Sequence, residues 1–294
     1  MITARNYAAQ AERGLTELYH FMDGKKYPID KKKVLSLASE ISKAVHFALP
    51  DNGIILDDGW KGLVTNPDAL RLPYPNVTLE YTCSCFPGVS KVVVLVLEIS
   101  PDKINPEILE GHSLADVYIA AFAVCYDNQH KKWVPLLAWN CSSSHSFTQS
   151  RNRSHIFFTD LFDESVTDYG NDPITTATPH HESLRTAALV PILEFIEALS
   201  CKNITTEPLE TISASVNARR IKDGKLPFYE TKILVLDSKQ VAAPSNSQGG
   251  SHASPRQHLR RGHIRRLPSG NIWVNSCIVG DAIKGVIAKS YEVV

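Results

Sequence analysis

Apolar positions fall at helical spacing in the first fifty residues and at strand spacing in the next hundred. Over 7–22, Ala8, Ala11, Leu15, Leu18, Tyr19 and Met22 share one helical face. Asp30 is placed to cap a second run in which Val34, Leu37, Ala38, Ile41, Val45 and Leu49 recur, ended by Pro50-Asp51-Asn52-Gly53. The pattern predicts a helical pair over 7–49 whose stripes are wide enough to cover one side of a sheet.

Residues 75–81 alternate apolar with polar side chains and predict a half-buried strand. The continuous β-branched run at 92–97 suits a central strand. Two more candidates, 117–126 and 132–139, are joined by the polar Asp127-Asn128-Gln129-His130-Lys131, which reads as a hairpin loop. Strands this close, with no helix between them, predict a meandering antiparallel sheet. The Ser-, Thr- and Pro-rich stretch 142–180 predicts a long surface excursion with one short strand at 155–158.

Helical spacing returns at 182–199, where Leu184, Ala188, Ile192, Phe195, Ile196 and Leu199 share a face interrupted by Pro191. A shorter helix is predicted from Pro208 to about Asp223, closed by Gly224. A strand follows within 228–237, and 242–254 is a Gly/Ser/Pro/Ala segment with nothing to bury. Strands at 264–267 and 272–279 flank Pro268-Ser269-Gly270-Asn271, and 285–293 makes a last strand. The expected fold is therefore α+β, a mainly antiparallel sheet partly covered by helices, with the C-terminal hairpin joined to that sheet. The expected division is a body over 1–241 (helical pair 7–49, strand-rich middle 72–160, helices 182–223, strand 228–237), a flexible loop over 242–255, and the hairpin with the last strand over 256–294.

Composition changes little until charge is placed along the chain. Apolar residues make up 43% and charged residues 21% of 294, ordinary values for a globular chain. The formal net charge is zero, yet from Arg219 onward thirteen Lys/Arg stand against five Asp/Glu, a balance of +8 that leaves −8 on the residues before it. An acidic body thus carries a basic end, which suits anion binding by that end or attraction between the two halves. No run approaches about eighteen apolar residues, and the N-terminus lacks the plan of a signal peptide, so a cytoplasmic protein without membrane association is expected.

The basic end concentrates in 256–266, with five arginines and two histidines and no acid among them: Arg256, His258, Arg260, Arg261, His263, Arg265 and Arg266. In an extended strand Arg261, His263 and Arg265 alternate onto one face, with Gly262 allowing a bulge. Arginine forks bind phosphate or carboxylate at two points. Trp273 lies across the turn, placed either to stack on a base or to pack inward. A secondary patch, Arg219, Arg220, Lys222 and Lys225, ends a helix, where the dipole alone favours cations; a basic surface continuous with the hairpin is the alternative.

Other chemistry is weakly supported. Of the six cysteines only Cys83 and Cys85 are close, and buried positions such as Cys125 suit a structural thiol. His180-His181 and His252, His258 and His263 lack a ligand pattern, and neighbouring arginines repel a divalent cation, so neither metal nor cofactor is expected. Ser142-Ser143-Ser144-His145 has no nucleophile elbow, and no phosphate-binding glycine loop is present.

Four segments taken together resemble a group of tailed-bacteriophage and prophage proteins to which no activity is assigned. They are Leu70-Arg-Leu-Pro-Tyr-Pro-Asn-Val-Thr-Leu-Glu80, Leu199-Ser-Cys-Lys-Asn-Ile204, Val216-Asn-Ala-Arg-Arg-Ile-Lys-Asp-Gly-Lys-Leu-Pro227, and Arg260-Arg-Gly-His-Ile-Arg-Arg266 with Ile272-Trp-Val274 and Val279-Gly280. The resemblance implies a phage accessory protein acting in the bacterial cytoplasm. Its most distinctive motif carries Arg260, Arg261, His263, Arg265 and Trp273. The expected function is non-enzymatic binding of nucleic acid or another polyanion through the basic hairpin. The alternatives are an inhibitor that occupies a host defence or nucleic-acid-processing protein bearing an acidic surface, and a hydrolase or nuclease.

Overall fold

The computed structural model describes residues 5–22, 31–55, 72–84, 88–99, 118–142, 181–209, 212–236, 256–260, 263–274, 277–279 and 281–286. The expected strand at 155–158 and the loop at 242–254 lie outside them. In chain order the elements are α1 (Tyr7–Phe21), α2 (Lys31–Lys43), β1 (Val45–Ala48), β2 (Asn76–Thr82), β3 (Val89–Ile99), β4 (Tyr118–Asp127), β5 (Lys132–Ser142), α3 (His181–Leu199), β6 (Ile204–Pro208), α4 (Ala214–Lys222), β7 (Thr231–Leu236), β8 (Arg256–Arg260), β9 (His263–Leu267), β10 (Gly270–Val274), β11 (Cys277–Val279) and β12 (Asp281–Val286).

The α+β class holds. Seven strands form one sheet in the order β5-β4-β3-β2-β1-β7-β6. Four of its six pairings are antiparallel, and β1 is parallel to both β2 and β7. Helices cover both faces. On β1 the neighbouring His46 and Phe47 point to opposite sides. Phe47 meets Phe195 of α3 with ring centroids 4.8 Å apart. Glu80 and Thr78 lie on the His46 side, where Glu80 reaches the N-terminus of α1. Among the described residues no helix is long and apolar enough to cross a membrane.

β1 replaces the end of the expected second helix. Val45 and Leu49 satisfy a helical repeat by coincidence, but α2 stops at Lys43 and Val45-His46-Phe47-Ala48 runs extended between two strands. Pairing with β2 and β7 satisfies its backbone and buries Phe47 and Ala48, so tertiary contacts override the local helical pattern. β2 also departs from expectation. Its alternation predicts one wet face, yet Val77 to Tyr81 are buried throughout, because the polar Thr78 and Glu80 find partners on the covered face, Thr78 in His46 of β1 and Glu80 at the start of α1.

Two boundaries shift in the second half. Ile204–Pro208 is an edge strand, and the helix expected from Pro208 begins at Ala214, capped by Ser213 Oγ, which accepts from Val216 N–H at 3.4 Å. Proline has no N–H to donate and is tolerated at the end of an edge strand. Gly224, at φ +70°, closes α4 as expected. The β4–β5 loop also forms as expected, with Asp127 accepting from the N–H of Gln129 at 2.8 Å.

The C-terminal hairpin does not join the main sheet. β9 and β10 form a two-stranded sheet, and β11, β8 and β12 form a three-stranded one. β7, the expected neighbour, is already paired on both edges, by β1 and β6. β12, over Asp281–Val286, runs parallel to β8, and most of the strand expected over 285–293 lies outside the described residues.

Packing of α1 depends on small residues. Ala8 and Ala11 are buried, and a β-carbon added at Gly14 would lie 2.6 Å from Trp133 Cβ on β5. Helix propensity alone favours Gly14→Ala by about 1 kcal/mol. The contact involves Trp133 close to its backbone and cannot be relieved by a rotamer change, so overpacking of roughly 1–3 kcal/mol dominates. Gly14→Ala is expected to lower the urea midpoint; a raised midpoint would show that α1 moves freely on the sheet.

His46 generates a pH prediction. It is buried, its Nδ1 lies 2.6 Å from Thr78 Oγ1, and its ring stacks on Tyr229 at 4.5 Å. Burial lowers its pKa from the ordinary 6.5 to about 4. The folded state holds it neutral while the unfolded chain binds a proton, so its contribution is intact above pH 6.5 and is lost as pH falls toward about 4. The full loss is on the order of 3 kcal/mol. In His46→Gln the decline of unfolding free energy between pH 7 and 5 should be shallower than in the unaltered chain, measured by urea titration at each pH.

Candidate functional site

The basic end holds two separate ladders, the β9–β10 ribbon and the β8–β11 pair. In β9–β10, His263 stands opposite Val274 and Leu267 opposite Gly270; in β8–β11, Arg260 stands opposite Cys277 and His258 opposite Val279. The bulge expected at Gly262 lies outside the described residues. Pro268 and Ser269 form the two-residue turn, and Gly270 takes φ +116°, a conformation that L side chains resist.

Register divides the tip into two faces, since directly opposed residues share a side. Arg266, Asn271, Ile264 and Trp273 face the body at the junction of α3 and β6. Arg266 pairs with Glu197 of α3 at 2.5 Å, and Asn271 Nδ2 donates to Ser200 Oγ at 3.0 Å. Arg265, Leu267 and Ile272 take the opposite face.

The seat is polar. Asn203, only 1% exposed, donates from Nδ2 to Trp273 O at 2.8 Å and accepts from Trp273 N–H at Oδ1, also at 2.8 Å. A side-chain amide here does the work of a neighbouring strand. Lys202 N–H donates to Asn271 O at 3.0 Å. The Lys202 side chain is exposed and crosses Gly270; a β-carbon added there would lie 2.4 Å from its Cε. This places a further cation two strand positions, about 7 Å, from the level of Arg265.

The arginines are thus not equivalent. Arg265 is exposed, and among the described residues no acid pairs with it. Arg266 is committed to the body. Burial raises the pKa of Glu197, and the Arg266 guanidinium offsets part of that shift. Trp273 is half-buried on the seated face, so the expected stacking platform is turned toward the body. Arg256, His258 and Arg260 occupy alternate positions of β8, with Arg256 opposite Asp281 of β12. Arg261 lies outside the described residues.

Among the described residues the secondary patch lies away from the tip. The tip is seated beside Ile204, at one end of the β6–β7 ladder, while α4 follows Pro208 at the other. Arg220 is structural: its Nε donates to Leu226 O at 2.7 Å and its guanidinium lies 3.9 Å above the Phe228 ring. Arg219, Lys222 and Lys225 remain exposed.

Cys83, Cys125 and Cys201 are buried thiols outside any disulfide, as structural thiols are. Burial pushes the Cys201 thiol up to about 11, far from a reactive thiolate. Among the described residues no group of three His, Cys, Asp or Glu is placed to hold a metal ion.

Sequence patterning missed Glu197, Ser200, Lys202 and Asn203. Apolar periodicity does not mark these polar positions, which the end of α3 and the turn after it bring against β9 and β10. Comparison with protein-family models, curated proteins and solved structures finds no match.

Asn203→Ala should release β10 from its seat. Removing a buried amide that serves two backbone groups costs about 2 kcal/mol or more. Amide exchange of Trp273 should accelerate while β2–β3 amides keep their protection; equal acceleration in both places would mean that the clasp is part of the global core.

Proposed function

We propose that this chain is a phage-type accessory protein that binds nucleic acid or a similar polyanion in the bacterial cytoplasm, through the outward face of the seated ribbon. The observation that carries the proposal is the division of labour at the tip. Arg266 is neutralised by Glu197 in holding the ribbon to the body, whereas Arg265 faces the other way, with no acid paired to it among the described residues, and Lys202 adds a second exposed cation.

A ribbon held by backbone bonds at Trp273 and Asn271 presents these cations with little ordering left to do on binding, which favours affinity. The negative balance of the body opposes indiscriminate adhesion to polyanions and confines attraction to the basic end. Exposed Arg219, Lys222 and Lys225 supply a separate electrostatic contact for a ligand long enough to reach α4.

The test is capture from bacterial lysate with and without nuclease, followed by salt titration of the captured nucleic acid. Lys202→Ala/Arg265→Ala should leave the thermal midpoint nearly unchanged, weaken binding, and reduce the magnitude of the log–log salt slope by up to about 2, one unit per lost phosphate contact. Arg266→Ala should instead lower stability. A protein partner that survives nuclease, or unchanged capture by the folded double variant, would overturn the proposal.

A further inference from the structure

We infer that the ribbon β9–β10 is shaped to enter the major groove of B-form duplex DNA, with Arg265 reading base edges and Lys202 contacting phosphate. The inference rests on the polyanion proposal above and specifies its ligand.

Shape is the first support. β9 and β10 stand apart from the seven-stranded sheet as a two-stranded ribbon of five residues a side. Paired strands lie about 4.8 Å apart, and a major groove about 12 Å wide admits such a ribbon. The deep, narrow major groove of an RNA duplex does not admit side chains in this way. The ribbon is held by one face and by the β10 edge, through Glu197, Ser200, Lys202 and Asn203, which leaves the other face to lead into a groove.

The residue types on that face are the second support. Arg265 stands opposite Ile272, with Leu267 two positions along. A guanidinium bonds guanine O6 and N7 at two points, and short aliphatic groups contact the thymine methyl. Sequence-independent binders of single strands instead present aromatic platforms on which bases stack. The aromatic residue of this ribbon, Trp273, occupies the seated face with Arg266, and Asn203 clasps its backbone there. The outward surface is therefore that of a groove reader. Lys202, crossing Gly270 beside the turn, is placed to meet a phosphate at the groove wall.

The experiment uses the full chain and fluorescence anisotropy against four probes: a DNA duplex of mixed sequence, an RNA duplex and a DNA single strand of the same sequence, and heparin. The DNA duplex should bind at least about tenfold tighter than either other nucleic acid. Across a panel of duplexes selected for binding, Arg265→Lys should reduce discrimination between guanine-bearing sites and their mismatches by roughly five- to hundredfold, while the salt slope stays unchanged. Lys202→Ala should do the reverse, lowering the slope and keeping the discrimination. Equal or tighter binding to the single strand or the RNA duplex would overturn the groove inference and leave the polyanion proposal standing. So would an Arg265→Lys variant that discriminates as well as the unaltered chain. Failure to bind any of the four probes would overturn both.

Discussion

The fold depends on β1, four residues that join the two halves of the chain. Val45–Ala48 pairs in parallel with β2 on one edge and with β7 on the other, and β7 in turn carries β6 and the segment that seats the ribbon. A strand with neighbours on both edges and helices on both faces must satisfy every backbone group within the sheet and bury side chains on both sides. Phe47 and Ala48 meet that demand with apolar groups. His46 meets it by bonding Thr78 and stacking on Tyr229, and so must remain neutral.

The α1 side of the sheet is fastened by polar groups rather than by apolar packing alone. Glu80, with no exposed surface, accepts from Ala8 N–H at 3.0 Å at the N-terminus of α1, where a carboxylate complements the helix dipole. Burial still raises its pKa, because the backbone amides of Ala8, Tyr7 and Asn6 and the charge of Arg5 do not replace a full hydration shell. Asn6, at φ 54°, does not cap α1; its amide holds the loop before β7, donating to Pro227 O and accepting from Tyr229 N–H. Asn217 brackets Phe228 in the same manner, and Asn203 brackets Trp273. Three asparagines therefore stand in for strand neighbours, two on the loop before β7 and one on the open edge of β10.

These arrangements explain what the sequence made legible. The amphipathic α1, the β-branched β3, the β4–β5 hairpin and the Pro-Ser turn of the ribbon follow from local period and turn chemistry, and they stand where expected. β1 was hidden because four residues cannot distinguish a period of two from the tail of a helix when Val45 and Leu49 extend the helical repeat. The polar Thr78 and Glu80 give β2 the pattern of a half-buried strand, and polarity does not reveal whether a partner waits on the other side. The apolar content of the ribbon points to the main sheet; the body-facing residues instead pack against the end of α3. Which arginine is free to act could not be read from the motif at all. Arg265 and Arg266 are adjacent and chemically identical, and only the strand register with Glu197 on a distant helix separates them.

That separation gives the charge asymmetry of the chain a structural form. If the basic end were held to the acidic body by general attraction, its arginines would pair broadly with surface acids and little cationic surface would remain. At the tip one arginine makes the ion pair, in a partly buried setting where Glu197 is 12% exposed and the pairing is less screened. Asparagine and backbone bonds, which are indifferent to salt, supply the rest of the seat. An interface of this kind stays closed at ionic strengths that weaken surface pairs. The attachment of the ribbon and its attraction for an anion thus draw on different interactions, and a ligand competing for Arg265 need not loosen the seat that presents it.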